Sequence, residues 1–174
     1  MHRLSCALAL VAPAAAMASA PTELALGYHG DFVVHPGVAV RGGVRAASTG
    51  PVALWLEGES DVFWHPRNRV AFVERLGPSV RWSPGGASLG AFAHIGVEQG
   101  VWASPTYRVD DGDVRGPRVA GDVWALVALG VDLGHRLSRS HWAEAWFVRP
   151  QAAVRFPTFY GTSVDVGIQL GVTL

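Results

Sequence analysis

The chain has 174 residues, of which 49% are hydrophobic, and its fourteen arginines balance fourteen acidic residues without a single lysine. This balance argues against a nucleic-acid-binding protein. Beyond residue 20, no apolar stretch reaches the roughly 18 residues that a transmembrane helix requires.

The first twenty residues, MHRLSCALALVAPAAAMASA, have the layout of a secretory signal peptide. A basic head with His2 and Arg3 precedes an apolar run, and the small residues Ala18-Ser19-Ala20 form a cleavage site. We therefore expect a signal peptide over residues 1–20 and one mature domain over residues 21–174. The only cysteine, Cys6, lies in the leader, so we expect a mature chain that has no disulfide.

Apolar and polar residues alternate in eight stretches of the mature chain. A period of two is typical of a strand whose two faces meet different surroundings. The predicted strands cover residues 23–31, 38–46, 52–64, 70–82, 87–101, 123–133, 142–156 and 164–174. Strands of about 9–11 residues span a bilayer, and eight of them with loops account for about 150 residues.

The polar faces of these strands carry acids and arginines in nearly equal numbers. Inside a narrow barrel each buried charge needs an opposite partner, whereas an apolar outer face needs only lipid. The pattern predicts an all-β fold, an eight-stranded antiparallel up-and-down transmembrane barrel with a charge-filled interior and no large pore. The predicted interior network consists of Glu23, Arg41, Arg45, Glu57, Glu59, Asp61, Arg75, Arg81, His94, Glu98, Asp132, Arg149, Arg155 and Asp165.

The connections and the aromatic residues support the same architecture. Short, turn-rich links alternate with longer ones, as in outer-membrane barrels. Aromatic residues near strand ends suggest two interface belts formed by Trp64, Trp82, Trp142, Trp146 and Phe156. Glu74 and Glu144 fall on the lipid side by parity, so we expect them near interfaces or beside bulges. Pro78 and Pro150 also suggest bulges.

The chain resembles small outer-membrane β-barrel proteins in the size class of the outer-membrane protein A transmembrane domain. Its last strand looks like their C-terminal assembly signal, although it ends in Leu174 rather than an aromatic residue. The segments HGDFVVHPGVAV, FWHPRNRVAFVERLG, PTYRVDDGDV and VRPQAAVRFP are similar to uncharacterised barrel proteins of this kind. The resemblance implies residence in the cell outer membrane of a Gram-negative bacterium, and it implies no particular activity.

Catalytic and metal sites were weighed against structural roles. His94 with Ser88 and Glu98 would suit nucleophilic catalysis, but along one strand His94 and Ser88 lie roughly 20 Å apart. His35, His65 and His141 lack the tight spacing of a metal site. The acidic cluster Asp110, Asp111 and Asp113 lacks the spacing of a calcium loop. We therefore predict no catalytic residues, no metal and no cofactor. A structural role is favoured over an enzymatic one.

The sequence thus favours a structural or surface-interaction role at the cell envelope, with the segment from Ala103 to Gly121 as the contact surface. The expected partners are outer-membrane lipid and, through Val164 to Leu174, the barrel-assembly machinery; no nucleic acid or oligomer is indicated. Two alternatives stay open: an outer-membrane lipid-modifying enzyme, and a secreted lipocalin-like binder whose apolar face would line a cavity.

Overall fold

The computed structural model describes residues 22–31, 36–65, 69–102, 106–110, 112–118, 121–137, 142–156 and 164–174. The predicted leader lies outside these residues. Within them, no helix is long and apolar enough to cross a membrane. The strands are β1 (Thr22–Asp31), β2 (Gly37–Thr49), β3 (Val52–His65), β4 (Arg69–Trp82), β5 (Ala87–Trp102), β6 (Thr106–Asp110), β7 (Asp113–Arg118), β8 (Gly121–Arg136), β9 (Ala145–Phe156) and β10 (Val164–Thr173).

Eight of these strands close into one antiparallel barrel, in the order β1-β10-β9-β8-β5-β4-β3-β2. Each barrel strand pairs with the barrel strands before and after it in the chain, so that β5 pairs with β8. The first strand closes on the last through pairs such as Leu26 with Leu170. We call the end that carries Thr22 and Thr173 the terminal end and the opposite end the loop end. The predicted eight-stranded up-and-down barrel is confirmed.

The remaining two strands, β6 and β7, form a separate hairpin in the connection between β5 and β8. Their turn contains Gly112, which has a φ of 88°. An Asp-Gly pair is a strong hairpin signal because glycine adopts positive φ without strain. The sequence interpretation treated this segment only as a loop, although Asp111-Gly112 carries that signal.

The ladder register corrects one expectation about the prolines. On the β4–β5 ladder, pairing stops after Leu76 with Ile95 and resumes at Ser79 with Phe92 in the same register. The predicted bulge at Pro78 is therefore wrong: the missing N–H interrupts the ladder without adding a residue. The β8–β9 ladder likewise keeps its register past Pro150. The register shift on the β2–β3 ladder lies instead between Arg45 and Ala47.

Burial divides the strands into a polar interior and an apolar exterior. Among the described residues, twenty-seven large hydrophobic side chains are exposed, spread over all eight barrel strands. The buried set contains nineteen polar or charged residues and only twelve hydrophobic ones. Monomeric proteins in water rarely expose an apolar surface of this extent, so this exterior is suited to lipid. The predicted charge-filled interior is confirmed.

Candidate functional site: the charged interior

The interior charges are positioned by strand parity, because alternate side chains of a strand point to the same face. Near the middle of β3, Glu57, Glu59 and Asp61 are all buried with 2% of their surface exposed. These three acids need cations from other strands, because burying one unpaired ion costs on the order of several kcal/mol of desolvation free energy.

Glu57 is the hub of this interior. Its carboxylate accepts hydrogen bonds from the Arg149 guanidinium, one of them at 2.9 Å, and lies 3.0 Å from Nη1 of Arg41. Nε2 of His94 lies 3.1 Å from Oε2 of Glu57, and the Ser79 hydroxyl donates a hydrogen bond to Oε1. Glu57 therefore joins side chains from β2, β4, β5 and β9.

Toward the terminal end, arginines continue this network. Glu23 on β1 forms ion pairs with Arg41 and with Arg81, the second at 2.8 Å. Arg81 reaches onward to Asp132 on β8 at 3.1 Å. Arg149 also donates to Asp132, at 2.6 Å, so Asp132 binds two guanidinium groups.

Toward the loop end, Arg75 lies between two acids of β3. It donates to Glu59 and to Asp61, both at 2.5 Å. Glu59 also accepts hydrogen bonds from Gln151 at 2.9 Å and Gln169 at 2.6 Å. These amides add donors without adding charge.

A last group of charges lies closest to the loop end. Glu98 contacts Arg69 at 2.7 Å and Arg155 at 2.9 Å, and Arg155 also donates to Asp165. Nδ1 of the buried His29 lies 2.9 Å from Asp61. In the part of the chain that the structure describes, seven buried carboxyl groups thus meet six buried arginines and two buried histidines.

Aromatic rings fill the space between the guanidinium groups. Arg149 packs over the Phe92 ring at 4.1 Å, and Arg69 over the Trp124 ring at 4.7 Å. Each such contact adds roughly 0.5–2 kcal/mol and removes water from the ion pairs. The interior is therefore a packed core of ion pairs and rings.

Thirteen of the fourteen predicted interior residues are buried. The exception is Arg45, whose side chain is 29% exposed at the terminal end, where it pairs with Glu144 at 3.5 Å. Sequence reasoning missed His29 and Arg69. Both fit the inward parity of their strands: His29 follows Glu23 at an even spacing, and Arg69 precedes the predicted start of its strand by one residue. Extending the alternation to the strand ends would have found them.

The structure does not bring His94, Ser88 and Glu98 together as a catalytic group. His94 contacts Glu57 and Glu59, and it is fully buried, whereas Ser88 lies near the terminal end. The predicted loop residues His35, His141 and Asp111 lie outside the described residues, as do the side chains of His65 and Asp110. In the part that is described, no group of three His, Cys, Asp or Glu side chains could hold a metal ion.

The five predicted interface aromatics all lie on the outer surface, with 43–69% of each residue exposed. Trp64 and Phe156 lie near the loop end, and the others lie near the terminal end: Trp82, Trp142 and Trp146. Their contact with a membrane interface stays a prediction.

The two acids on the outer face have different surroundings. Glu144 precedes β9 at the terminal end, and its nearness to a membrane interface stays a prediction. The expectation for Glu74 is wrong, because it lies in the middle of β4 and no register shift lies beside it. Its carboxylate accepts a hydrogen bond from the Ser60 hydroxyl at 2.7 Å. The neighbouring hydroxyl offsets part of the cost of a carboxylate on the apolar face.

Comparison with known proteins assigns the fold. The chain matches no protein-family model and no curated protein sequence. Its structure resembles that of Ail, the attachment invasion locus protein of Yersinia pestis, with a TM-score of 0.52 and 8% sequence identity over 89% of this chain and 98% of that one. Neisserial surface protein A (NspA) gives a TM-score of 0.50 and 9% identity over 88% of this chain and 94% of that one.

A third similar structure is the N-terminal β-barrel domain of Pseudomonas aeruginosa OprF, with a TM-score of 0.49 and 11% identity over 90% of this chain and 98% of that one. The likeness to Ail and NspA, together with the closed topology, shows that the chain has the eight-stranded fold of small Gram-negative outer-membrane barrels.

Proposed function

We propose that this chain is an outer-membrane protein that spans the bilayer as a monomeric barrel and acts at the cell surface through its loop end. The observation that carries the proposal is an exterior with large apolar side chains on all eight barrel strands, around a closed, charged interior. Only lipid covers such an exterior without a further partner. An even strand number puts both termini on the same side, which is the periplasmic side in outer-membrane barrels.

A surface-interaction role suits this barrel better than transport. Eight-stranded barrels are just wide enough for their own side chains. Here the ion pairs around Glu57 link strands from opposite walls, such as β3 and β9, across the lumen. We therefore expect no large open pore.

The β6–β7 hairpin is the contact surface that we propose. Its backbone register pairs Arg108 with Arg115 and Asp110 with Asp113. Like charges at directly opposite positions destabilise a hairpin, and a partner of complementary charge would relieve that cost. The names of the similar structures, an attachment invasion locus protein and a surface protein, agree with a role at the surface.

The two alternatives have less support. His94, the histidine considered for catalysis, is fully buried among ion pairs, so a lipid substrate cannot reach it. A lipocalin-like binder needs an apolar cavity, and the orientation of this barrel is the reverse. The proposed partners are outer-membrane lipid and, through the segment from Val164 to Leu174, the barrel-assembly machinery.

Substituted-cysteine labelling tests the orientation. Residues 21–174, the predicted mature chain, contain no cysteine. We expect Asp113→Cys, in the hairpin turn, to react with a membrane-impermeant maleimide on intact cells. The matched variant Ser83→Cys, exposed in a short turn at the terminal end, should react only after the outer membrane is permeabilised. Labelling of Ser83→Cys alone on intact cells would contradict the proposed orientation, and recovery of either variant outside the membrane fraction would contradict the proposed location.

A further inference from the structure

A cavity of about 290 Å³ opens at the terminal end of the barrel, between the short turns. This volume is close to the lower limit of small-molecule sites. The cavity does not belong to the ion-pair core, although Arg81 borders both. The lining residues that matter here are Arg45, Trp55, Arg81, Arg136, Glu144 and Phe147.

The cavity wall is rich in cations and poor in acids. Three of the lining residues are arginines, and Glu144 is its only acid. Glu144 binds Arg45 loosely, at 3.5 Å, and its side chain is half exposed. Within the described part of the chain, Arg136 has no ion pair, and its side chain faces the exposed rim. The positive charge of the rim is thus only partly compensated.

The arginines are held in place by aromatic rings. The guanidinium groups of Arg45 and Arg81 pack over the Trp55 ring at 5.0 and 5.1 Å, and Arg81 also packs over Phe147 at 4.9 Å. Trp55 is 98% buried, and Arg81 is anchored from below by Glu23 and Asp132. Arg45 and Arg81 are therefore positioned before any ligand binds, which lowers the entropic cost of binding.

The hydrogen-bonding groups at this end are donors in excess. Nε of Arg45, Nε of Arg81 and the indole N–H of Trp55 are buried and have no acceptor among the described residues. Arginine and tryptophan side chains only donate. A ligand that matches this wall must therefore accept hydrogen bonds and carry negative charge.

We infer that this cavity is a binding site for a small oxyanion, either a carboxylate or a phosphate group. The planar guanidinium group binds both groups through paired hydrogen bonds. Arg136 and Arg45 supply the accessible charge, and Arg81 closes the base of the site. The inference rests on the proposed function only for the compartment that the cavity faces, which is the periplasm.

Titration of the folded mature chain in detergent micelles at low ionic strength tests this inference. Inorganic phosphate and acetate are added in separate titrations, and the arginine Nε–H and tryptophan indole N–H signals are followed by NMR. We expect saturable shifts at Arg45, Arg136 and Trp55. The variant Arg45→Gln/Arg136→Gln should weaken binding by about tenfold or more, as expected for losing charged hydrogen bonds. Arg67→Gln, a single charge change in the connection between β3 and β4 and outside both the cavity and the β6–β7 hairpin, should bind like the parent.

The outcomes separate the ligand classes. Saturation by phosphate alone assigns a phosphate ligand, and saturation by acetate alone assigns a carboxylate; both results support the site. Absence of saturation with either anion, or a weakening by Arg67→Gln equal to that by Arg136→Gln, overturns it. A gel shift on boiling checks that each variant is folded, and the single variant Arg136→Gln serves if the double variant fails to fold. Because the titration uses micelles, it gives an answer even if the protein proves to lie elsewhere in the cell.

Discussion

At the scale of single residues, Glu57 shows how this interior is stabilised. Its carboxylate is 2% exposed and binds Arg149, lies near Arg41 and contacts His94. A buried ion pair gains little over a hydrophobic pair, but removing one partner leaves charges without compensation. The stability of this barrel therefore depends on completeness of the network more than on any single bond.

Glu57→Gln should lower the free energy of unfolding by about 3–5 kcal/mol, because it leaves the Arg149 and Arg41 guanidinium groups without their shared anion. Urea titration of the protein in micelles, followed by tryptophan fluorescence, measures this loss. Glu144→Gln removes the same charge from a half-exposed pair and should cost at most about 1 kcal/mol. Equal losses in the two variants would show that the interior network adds nothing beyond a surface pair.

Glu74→Leu should stabilise the barrel, whereas Glu57→Gln should destabilise it. Glu74 is exposed on the apolar face, where the Ser60 hydroxyl donates a hydrogen bond to its carboxylate. Leucine at this position should raise the free energy of unfolding in lipid vesicles by up to about 2 kcal/mol. The mirrored variant Leu76→Glu, two residues along the same face, should lower it. A loss of stability in Glu74→Leu would mean that this face meets something other than lipid.

The residue scale is also where the sequence predicted most. Alternation placed acids and arginines on one face because side-chain direction has a strict period of two in strands. It said nothing of which acid meets which arginine, since Glu57 and Arg149 lie on strands that are not neighbours in the barrel. Those partners follow from the diameter and stagger of the closed barrel, which no local pattern contains.

At the scale of strands, an inward position requires glycine where the backbone of the neighbouring strand comes too close for a Cβ atom. A Cβ on Gly77 would lie 2.2 Å from the carbonyl oxygen of Ala93 and 2.8 Å from Cα of His94, both backbone atoms of the adjacent strand β5. Backbone on a paired strand has little freedom to move aside. Glycine is therefore required here for close approach.

Gly77→Ala should destabilise the barrel by about 1–3 kcal/mol or prevent its folding, because it forces β4 and β5 apart. The temperature at which the folded band disappears from a gel measures the effect. Gly42→Ala is the matched control on β2, where an added Cβ meets nothing within 4 Å. If both variants melted together, close strand contact at Gly77 would not be limiting.

Sequence patterns predicted the strands better than the connections. All eight barrel strands follow the alternation to within a few residues at each end, because a one-residue slip would turn every apolar side chain inward. The β6–β7 hairpin was not predicted because its strands have only five and six residues, fewer than any strand of the barrel. The proline bulges were wrong because a missing N–H can be absorbed as a gap in the ladder.

At the scale of the whole molecule, closure removes both edges of the eight-stranded sheet and leaves an apolar exterior. Orientation was the question that alternation left open, because it describes an inside-out barrel equally well. The three-dimensional burial of Glu23, Asp132 and Asp165, each at most 1% exposed, decides it.

The packed lumen gives a prediction about permeability. Lipid vesicles that contain the folded protein should stay impermeable to glucose, because ion pairs and rings fill the lumen. Vesicle swelling in an isotonic glucose solution measures this, with an established porin as positive control and protein-free vesicles as negative control. Swelling at the rate of the porin control would refute a filled interior.

The most direct test of the central claim, a lipid-embedded barrel with its charges inside, is cell fractionation combined with a heat-modifiability gel. We predict that the mature chain is found in the outer-membrane fraction and that its band shifts when the sample is boiled, as the closed barrel unfolds. Recovery in the aqueous fraction with one unshifted band would contradict the account.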